Sequence, residues 1–550
     1  MKSFSKTTTL AFVSLTLLLS CGKRHVRPMA SQEFDKDVDA RIISEIQKRK
    51  DLVQGNTVFE SLVARFEEGR AHLLNQRAKE AYFIFDEILS SDRFKNYPEY
   101  RFAKYYLSIA LYDMDVPYGS LLYFVDIVEK EPLQAHTHES LRRAIKIAQE
   151  LKDDELIVYL AEKISQKKVP LSLREEFRYF IAKNLYLRGQ HQRAMRLLSA
   201  ISFRNRLYLG AQYLMGTIAM ENQNFDLAIE HFQKISNTRS PVEYYEKARL
   251  SQIANLAIGR IFYERGNYPL AVLYYGKVQR DGEFFPPALY ESSWALFKLN
   301  KFNETLSILH SLNSPFFEQV FFIKSYLLKA ATYMEVCYYD KAVQTLSELE
   351  KSFLTLGEQI DTLAKAAKDP RNYYPILKST EQSTKGEKTY KYRELFNLAA
   401  GDKDFLNLHR YIEELQSEQT WLRKLENKRA TILSGLLQQR IDSLSAKGSW
   451  IAGNKLKNTK EMILEYLALK DVLEYEIVSV ERQVLQKRIL NLAPPVLTDK
   501  ELIQPEFTDS LKETMLWWEV RGDETWADEI GYFLYDLPSK CNEDQQAKER

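Results

Sequence analysis

Glycine is scarce in this chain, at 19 residues in 550. Few glycines, together with many long amphipathic stretches, favour helices over tight-turned sheet. Cysteine is scarcer still, with Cys21, Cys337 and Cys541 the three present. Net charge is almost absent, at a formal +2. That argues against nucleic acid, which calls for a basic face. Beyond the first twenty residues no stretch reaches the roughly 20 apolar residues a membrane-spanning helix needs. Chemical motifs are missing too. There is no Gly-x-Ser-x-Gly elbow. The eight histidines are scattered. His136 and His138 flank Thr137, but a zinc site wants three or four convergent ligands. Asp523, Glu524, Asp528 and Glu529 lack EF-hand spacing. Gly448 and Gly453, followed by Asn454 and Lys455, lack the Gly-Lys-Ser/Thr of a phosphate loop, and a helix precedes them where the loop needs a strand. The expectation is therefore no cofactor, no metal and no enzyme, although residues that meet only in space escape such a reading.

Tyr and Phe are abundant, at 33 and 29, and hydrophobic residues make up 45% of the chain. This length predicts more than one domain. The start has the layout of a secretory leader: Lys2 and Lys6, an apolar stretch from Thr7 to Leu19, then small Ser20. Leu18-Leu19-Ser20-Cys21 resembles the bacterial lipobox. That resemblance implies cleavage before Cys21 and acylation of its thiol and new amine, palmitate included. Gly22, where an Asp would retain the protein elsewhere, implies the outer membrane, on its periplasmic face or at the cell surface. An ordinary leader with a chance cysteine is the alternative. Removing residues 1–20 takes away two lysines and no acid, so the side-chain sum falls to zero. Cys337 and Cys541 can pair in an oxidising compartment, but their separation favours two isolated thiols.

The segment "YLMGTIAMENQNFDLAIEHFQKI", Tyr213 to Ile235, has apolar residues three and four apart, a polar turn, then the same period again. It reads as two amphipathic helices around a tight connection. Gly216 and Ala228 supply small residues twelve apart, and Phe232 fills the space beside them. The pattern returns with Gly69, Ala81 and Phe85; with Ser108, Ser120, Phe124 and Pro132; with Ala182 and Ala194; with Gly259, Ala271 and Tyr275; with Ser293 and Thr305; and with Ala330 and Ala342. A weaker pair covers Leu141–Ile164, with Ile147 at the first position. The anchors fall at 69, 108, 147, 182, 216, 259, 293 and 330.

This pattern resembles the tetratricopeptide repeat family, whose period is about 34, over about Thr57 to Lys351. The family's first-helix Trp is replaced throughout. The resemblance implies an all-α, right-handed solenoid with a concave groove lined by the first helix of each pair. Carried onto this chain, groove positions fall on Tyr105, Tyr112, Tyr179, Lys183, Tyr186, Tyr213, Arg260, Tyr263, Tyr290 and Trp294. Tyr gives large contact area at low entropy cost with a polar tip, and Lys183 and Arg260 suit a peptide carboxylate. Packing between repeats is the alternative role for each ring.

Past Lys351 the pattern fades. Ser379–Lys388 is polar and aperiodic, a linker. Asp404–Ala446 reads as one helix, with Leu408, Leu415 and Leu422 seven apart. "KGSWIAGNK" reads as a break, and Thr459–Asn491 as a second helix, together an antiparallel coiled-coil hairpin. A small aromatic cap follows, in which Trp517, Trp518 and Trp526 are candidates for docking a partner or cell-wall glycan. Trp526 with Asp528-Glu529-Ile530-Gly531-Tyr532 resembles the end of envelope repeat lipoproteins of gliding or predatory bacteria. The expected organisation is leader 1–20, tether 21–45, array 46–351, irregular or helical linker 352–402, hairpin 403–492, and linker with cap 493–550. The expected function is a membrane-anchored scaffold that binds envelope proteins of outer-membrane, motility or secretion machinery. A structural or glycan-binding lipoprotein is the alternative.

Overall fold

The computed structural model describes residues 35–53, 55–131, 134–164, 169, 171–239, 244, 246–280, 282–314, 317, 323–381, 392–490, 515–516 and 533–542. The leader, Cys21, Trp517, Trp518 and Trp526 lie outside them. The chain is all-α apart from two short strands among the described residues. After α1 (Lys36–Leu52), helices come in pairs: α2 (Thr57–Leu74) and α3 (Ala78–Ser90), α4 (Tyr100–Asp113) and α5 (Pro117–Lys130), α6 (Ala135–Glu150) and α7 (Asp154–Lys163). The series continues with α8 (Leu171–Leu187) and α9 (His191–Leu198), α10 (Tyr208–Glu221) and α11 (Phe225–Asn237), α12 (Lys247–Glu264) and α13 (Tyr268–Tyr275). It ends with α14 (Phe285–Lys298) and α15 (Phe302–Leu312), then α16 (Ile323–Glu335) and α17 (Tyr339–Ala367).

The small anchors work by letting an aromatic ring in. A Cβ at Gly216 would lie 2.6 Å from the Phe232 ring, at Gly259 2.5 Å from Tyr275, and at Gly69 2.9 Å from Phe85. Ser108 and Ser120 touch directly, the Ser120 hydroxyl donating to the Ser108 carbonyl at 2.7 Å. Burying a ring such as Phe232, which is fully enclosed, contributes roughly 2–3 kcal/mol. The turns share a second regularity. Seven residues after the anchor, Gln76, Asp115, Gly189, Gln223, Gly266, Asn300 and Cys337 all have positive φ. The Gln223 amide donates to the Met220 carbonyl and the Asn224 amide to that of Ala219, at 2.9 and 2.8 Å, a Schellman ending. Asn224 and Asn267 then cap the next helix through their side chains.

Two compact units form, Met1–Glu150 with Glu418–Gly435, and Leu151–Ser417 with Leu436–Arg550. The division falls inside the weakest of the repeat pairs. In the first unit α2 to α6 pack in sequence, and α1 lies against α2 and α6. Asp39 of α1 accepts from Arg70 and from the Tyr106 hydroxyl, at 2.7 and 2.6 Å. Residues 36–45, expected as tether, are thus helical and tied to the array by a buried carboxylate. In the second unit α7 to α17 pack in sequence, and the first helices α8, α10, α12, α14 and α16 also touch one another.

Residues 352–367 extend α17, and α18 (Tyr373–Glu381) and α19 (Arg393–Ala400) follow. The antiparallel pair of long helices is present, as α20 (Lys403–Arg423) and α21 (Lys428–Leu490), but its turn is not where the glycines are. Helix α21 runs unbroken through Lys447–Lys455. Gly448 is there for packing: a Cβ would sit 2.9 Å from Leu408 and 3.0 Å from Tyr374. The turn lies at 424–427, where Glu426 takes φ 52° and the Asn427 side chain accepts from the Ala430 amide at 2.8 Å. Gln419 donates to the Ser434 carbonyl at 3.1 Å, and Leu408 meets Gly448 farther from the turn, so the helices are antiparallel. The buried stripe of α21 is Leu433, Leu437, Ile441 and Leu444, with Ile432 and Leu436 exposed. Beyond Leu456 its partner is α17. Lys460 pairs with Asp361, Ile463 faces Gly357, Lys470 meets Glu350 at 3.2 Å, and Ile477 joins a cluster with Leu346 and Ala342.

Candidate protein-binding face

The first helices of the second unit carry the expected groove residues, and each side chain is held in place. On α8, the Tyr179 ring lies over Gly210 of α10, where a Cβ would come within 2.8 Å of its oxygen. Tyr179 thus packs between repeats. Lys183 pairs with Asp154 at the start of α7. The Tyr186 hydroxyl donates to Glu221 of α10 at 2.5 Å, and its ring stacks on His191. Burial, then the bond to Glu221, pushes the Tyr186 phenol up to about 12. Tyr213 of α10 tilts against Phe232. Arg260 of α12 grips Glu291 of α14 with two nitrogens, at 2.6 to 3.0 Å, and that bond raises its pKa. Tyr263 meets Tyr268 edge to face. Lys183 and Arg260 are therefore already neutralised, and a peptide carboxylate would have to displace an acid the chain supplies.

Farther along, the face is met by the chain itself. The Trp294 indole donates to the Tyr290 hydroxyl at 2.8 Å. Burial pushes Tyr290 up to about 12, and the phenol of Tyr466 on α21 adds to the rise. Lys324 of α16 lies 5.4 Å from the Tyr466 ring. Lys324 thus brings α21 to the α16 part of the first-helix face, while Tyr290 and Trp294 hold each other. In the first unit Tyr112 is half-buried. Tyr105 is 2% exposed, enclosed by Tyr106, Phe124 and His136, so it is core and not groove wall. His136 itself bonds Glu131 at 2.9 Å.

Several polar anchors were not foreseen. In the first unit Glu418, 2% exposed, accepts from the Tyr118 amide at 2.9 Å and the Gly119 amide at 3.1 Å. It satisfies the start of α5, where Pro117 leaves no donor of its own. Asn427 and Arg429 bind Asp86, and the Tyr82 hydroxyl donates to Asn427 at 3.1 Å. In the second unit Asp153 caps α7 and accepts from Arg440 at 2.6 Å. A lone Glu among many on a helix gives no sequence signal. Glu426-Asn427 did carry one, as a cap ahead of an apolar run.

The chain's end returns to the last repeats. Strand β1 (Met515–Leu516) pairs in parallel with β2 (Phe533–Leu534). The Tyr535 amide donates to the Ser307 hydroxyl at 2.8 Å. Asn303 exchanges two 3.3 Å bonds with the Leu537 backbone, and the Tyr338 hydroxyl donates to the Pro538 carbonyl at 3.0 Å. Cys337, at the positive-φ turn position, is bonded to Cys541 across 204 residues. Sequence distance argued for separate thiols; the returning segment brings them together.

No family model matches this sequence, and no curated protein matches it. Among solved structures, the apo form of the quorum sensor NprR from B. thuringiensis is similar at 14% identity. That likeness covers 76% of this chain and 95% of that one, with a TM-score of 0.20. The APC/C heterotetramer Cut9–Hcn1 is similar at 11% identity over 77% and 90%, with a TM-score of 0.19. Likenesses this slight carry no argument; the repeat reading rests on the contacts described above.

Proposed function

We propose that this chain is a lipid-tethered scaffold of the bacterial envelope that holds a protein segment on the α8–α10–α12 face. The observation carrying this reading is the ordering of that face. Tyr186, Tyr213, Tyr263 and Arg260 are partly accessible, yet each is fixed by a hydrogen bond, ion pair or ring contact. Pre-ordered aromatic side chains lose little freedom on binding. The Cys337–Cys541 bond suits an oxidising compartment, as does the lipobox-like Leu18–Cys21 stretch. Among the described residues no helix is long and apolar enough to cross a membrane, and in this reading the tether is Cys21.

The test is a photo-crosslinking residue at Tyr186 or Tyr263 in cells, with Cys21→Ser run in parallel. Capture of one distinct envelope protein at both positions, lost in Arg260→Glu, is expected. Self-crosslinks alone would sink the scaffold reading. Retention of Cys21→Ser in the membrane fraction after a high-salt wash, which strips attachment by charge, would sink the tether.

A further inference from the structure

Two repeats are strongly basic, and in the α12–α13 repeat Arg249, Arg260 and Arg265 are each held by an acid, whereas the α8–α9 repeat leaves several arginines without one. Residues 171–206, covering α8, α9 and the loop after them, hold eight Lys and Arg against two Glu. The α10–α11 pair holds one Lys against three acids, and α14–α15 holds two of each. Arg193 and Arg196 lie three apart on α9, on one side of the helix, and Arg188 stands at the turn before it. All three are exposed. Arg193 donates to Gln190 at 2.6 Å, but none of the three is in an ion pair among the described residues. Large apolar side chains are exposed in the same repeat. Leu187 is 74% exposed and Phe203 58%, and the Arg204 guanidinium lies 5.6 Å from the Phe203 ring.

We propose that the α8–α9 repeat is a docking surface for an anionic phospholipid bilayer. Arginine offers paired donors that match phosphate oxygens. Exposed apolar side chains among basic ones suit the headgroup boundary, where charge attracts and hydrocarbon enters. An acidic polypeptide satisfies the arginines but leaves Leu187 and Phe203 without a purpose, so the bilayer is the occupant both features fit. The inference stands apart from the tether, since it needs no acyl chain.

The full chain carrying Cys21→Ser is mixed at low salt with phosphatidylglycerol vesicles and with phosphatidylcholine vesicles, and bound protein is read by sedimentation. The ratio of the two cancels any charge-blind partitioning. A preference for phosphatidylglycerol of tenfold or more is expected. It should fall towards one in Arg188→Glu/Arg193→Glu/Arg196→Glu. The triple variant Lys234→Glu/Lys298→Glu/Lys301→Glu, with the same change in net charge elsewhere, should keep it, and circular dichroism checks that both variants fold. A ratio near one in the parent overturns the proposal. So does an equal fall in both triples, and so does binding to polyglutamate without any vesicle preference.

Discussion

The helix pairs and the long α20–α21 hairpin are both antiparallel helical packings, yet different chemistry holds them. The pairs rely on apolar complementarity: Gly216 receives Phe232 and Gly259 receives Tyr275. The hairpin buries an apolar stripe of its own, but single polar groups fasten it to the repeats, with Glu418 at the start of α5 in one unit and Arg440 on Asp153 in the other. Apolar locks repeat because every pair must hide the same stripe from water. Polar anchors occur once each, because a buried charge is tolerable only where its particular partners await it.

The sharpest way to break this contrast is Gly259→Val. The added atoms meet the Tyr275 ring in a packed interior, and overpacking there should lower stability by about 3 kcal/mol, read from the urea midpoint. Adding Tyr275→Ala should restore part of that loss, whereas strict additivity would show that no lock exists. Next in size is Glu418→Ala. It leaves two buried amides unsatisfied, at a cost of about 2 kcal/mol, and should speed hydrogen exchange at Tyr118 and Gly119 above all. Glu418→Gln, which keeps an acceptor, should cost about half as much. Unchanged exchange at those two amides would remove the polar anchor from the account. The smallest effect compares two glycines of α21. Gly435→Ala adds a Cβ to open space and should stabilise by about 0.5–1 kcal/mol, the helix preference for Ala. Gly448→Ala meets Leu408 and Tyr374 and should be destabilising by about 1 kcal/mol. Equal effects at the two sites would mean that Gly448 does not pack as described.

Much of the array was legible because its signal is redundant. Gly69, Gly216 and Gly259 and their rings recur at one spacing, so an error at one position is corrected by the others. The weak pair at Leu141–Ile164 is where that redundancy failed and where the chain divides into two units. The hairpin turn was misplaced because a glycine has two meanings. Gly448 and Gly453 look like a break in one dimension and are close-packing sites in three. Nothing in the spacing of α21 distinguished α17 from α20 as the neighbour of Ile463 and Ile477. Tyr105 and Tyr290 sat at groove positions by the repeat's numbering, but Tyr105 is enclosed in the core and the Tyr290 hydroxyl is taken by the Trp294 indole.

Sequence alone determined that this chain builds paired helices, since helical periodicity and the placing of small residues are local properties written along it. Tertiary structure decided what those helices touch. It chose where the long hairpin turns, which part of the first-helix face the chain covers for itself, and that Cys541 returns to Cys337. The reason is that a contact between distant residues depends on shape and on the partner of each buried polar group, and neither has a period.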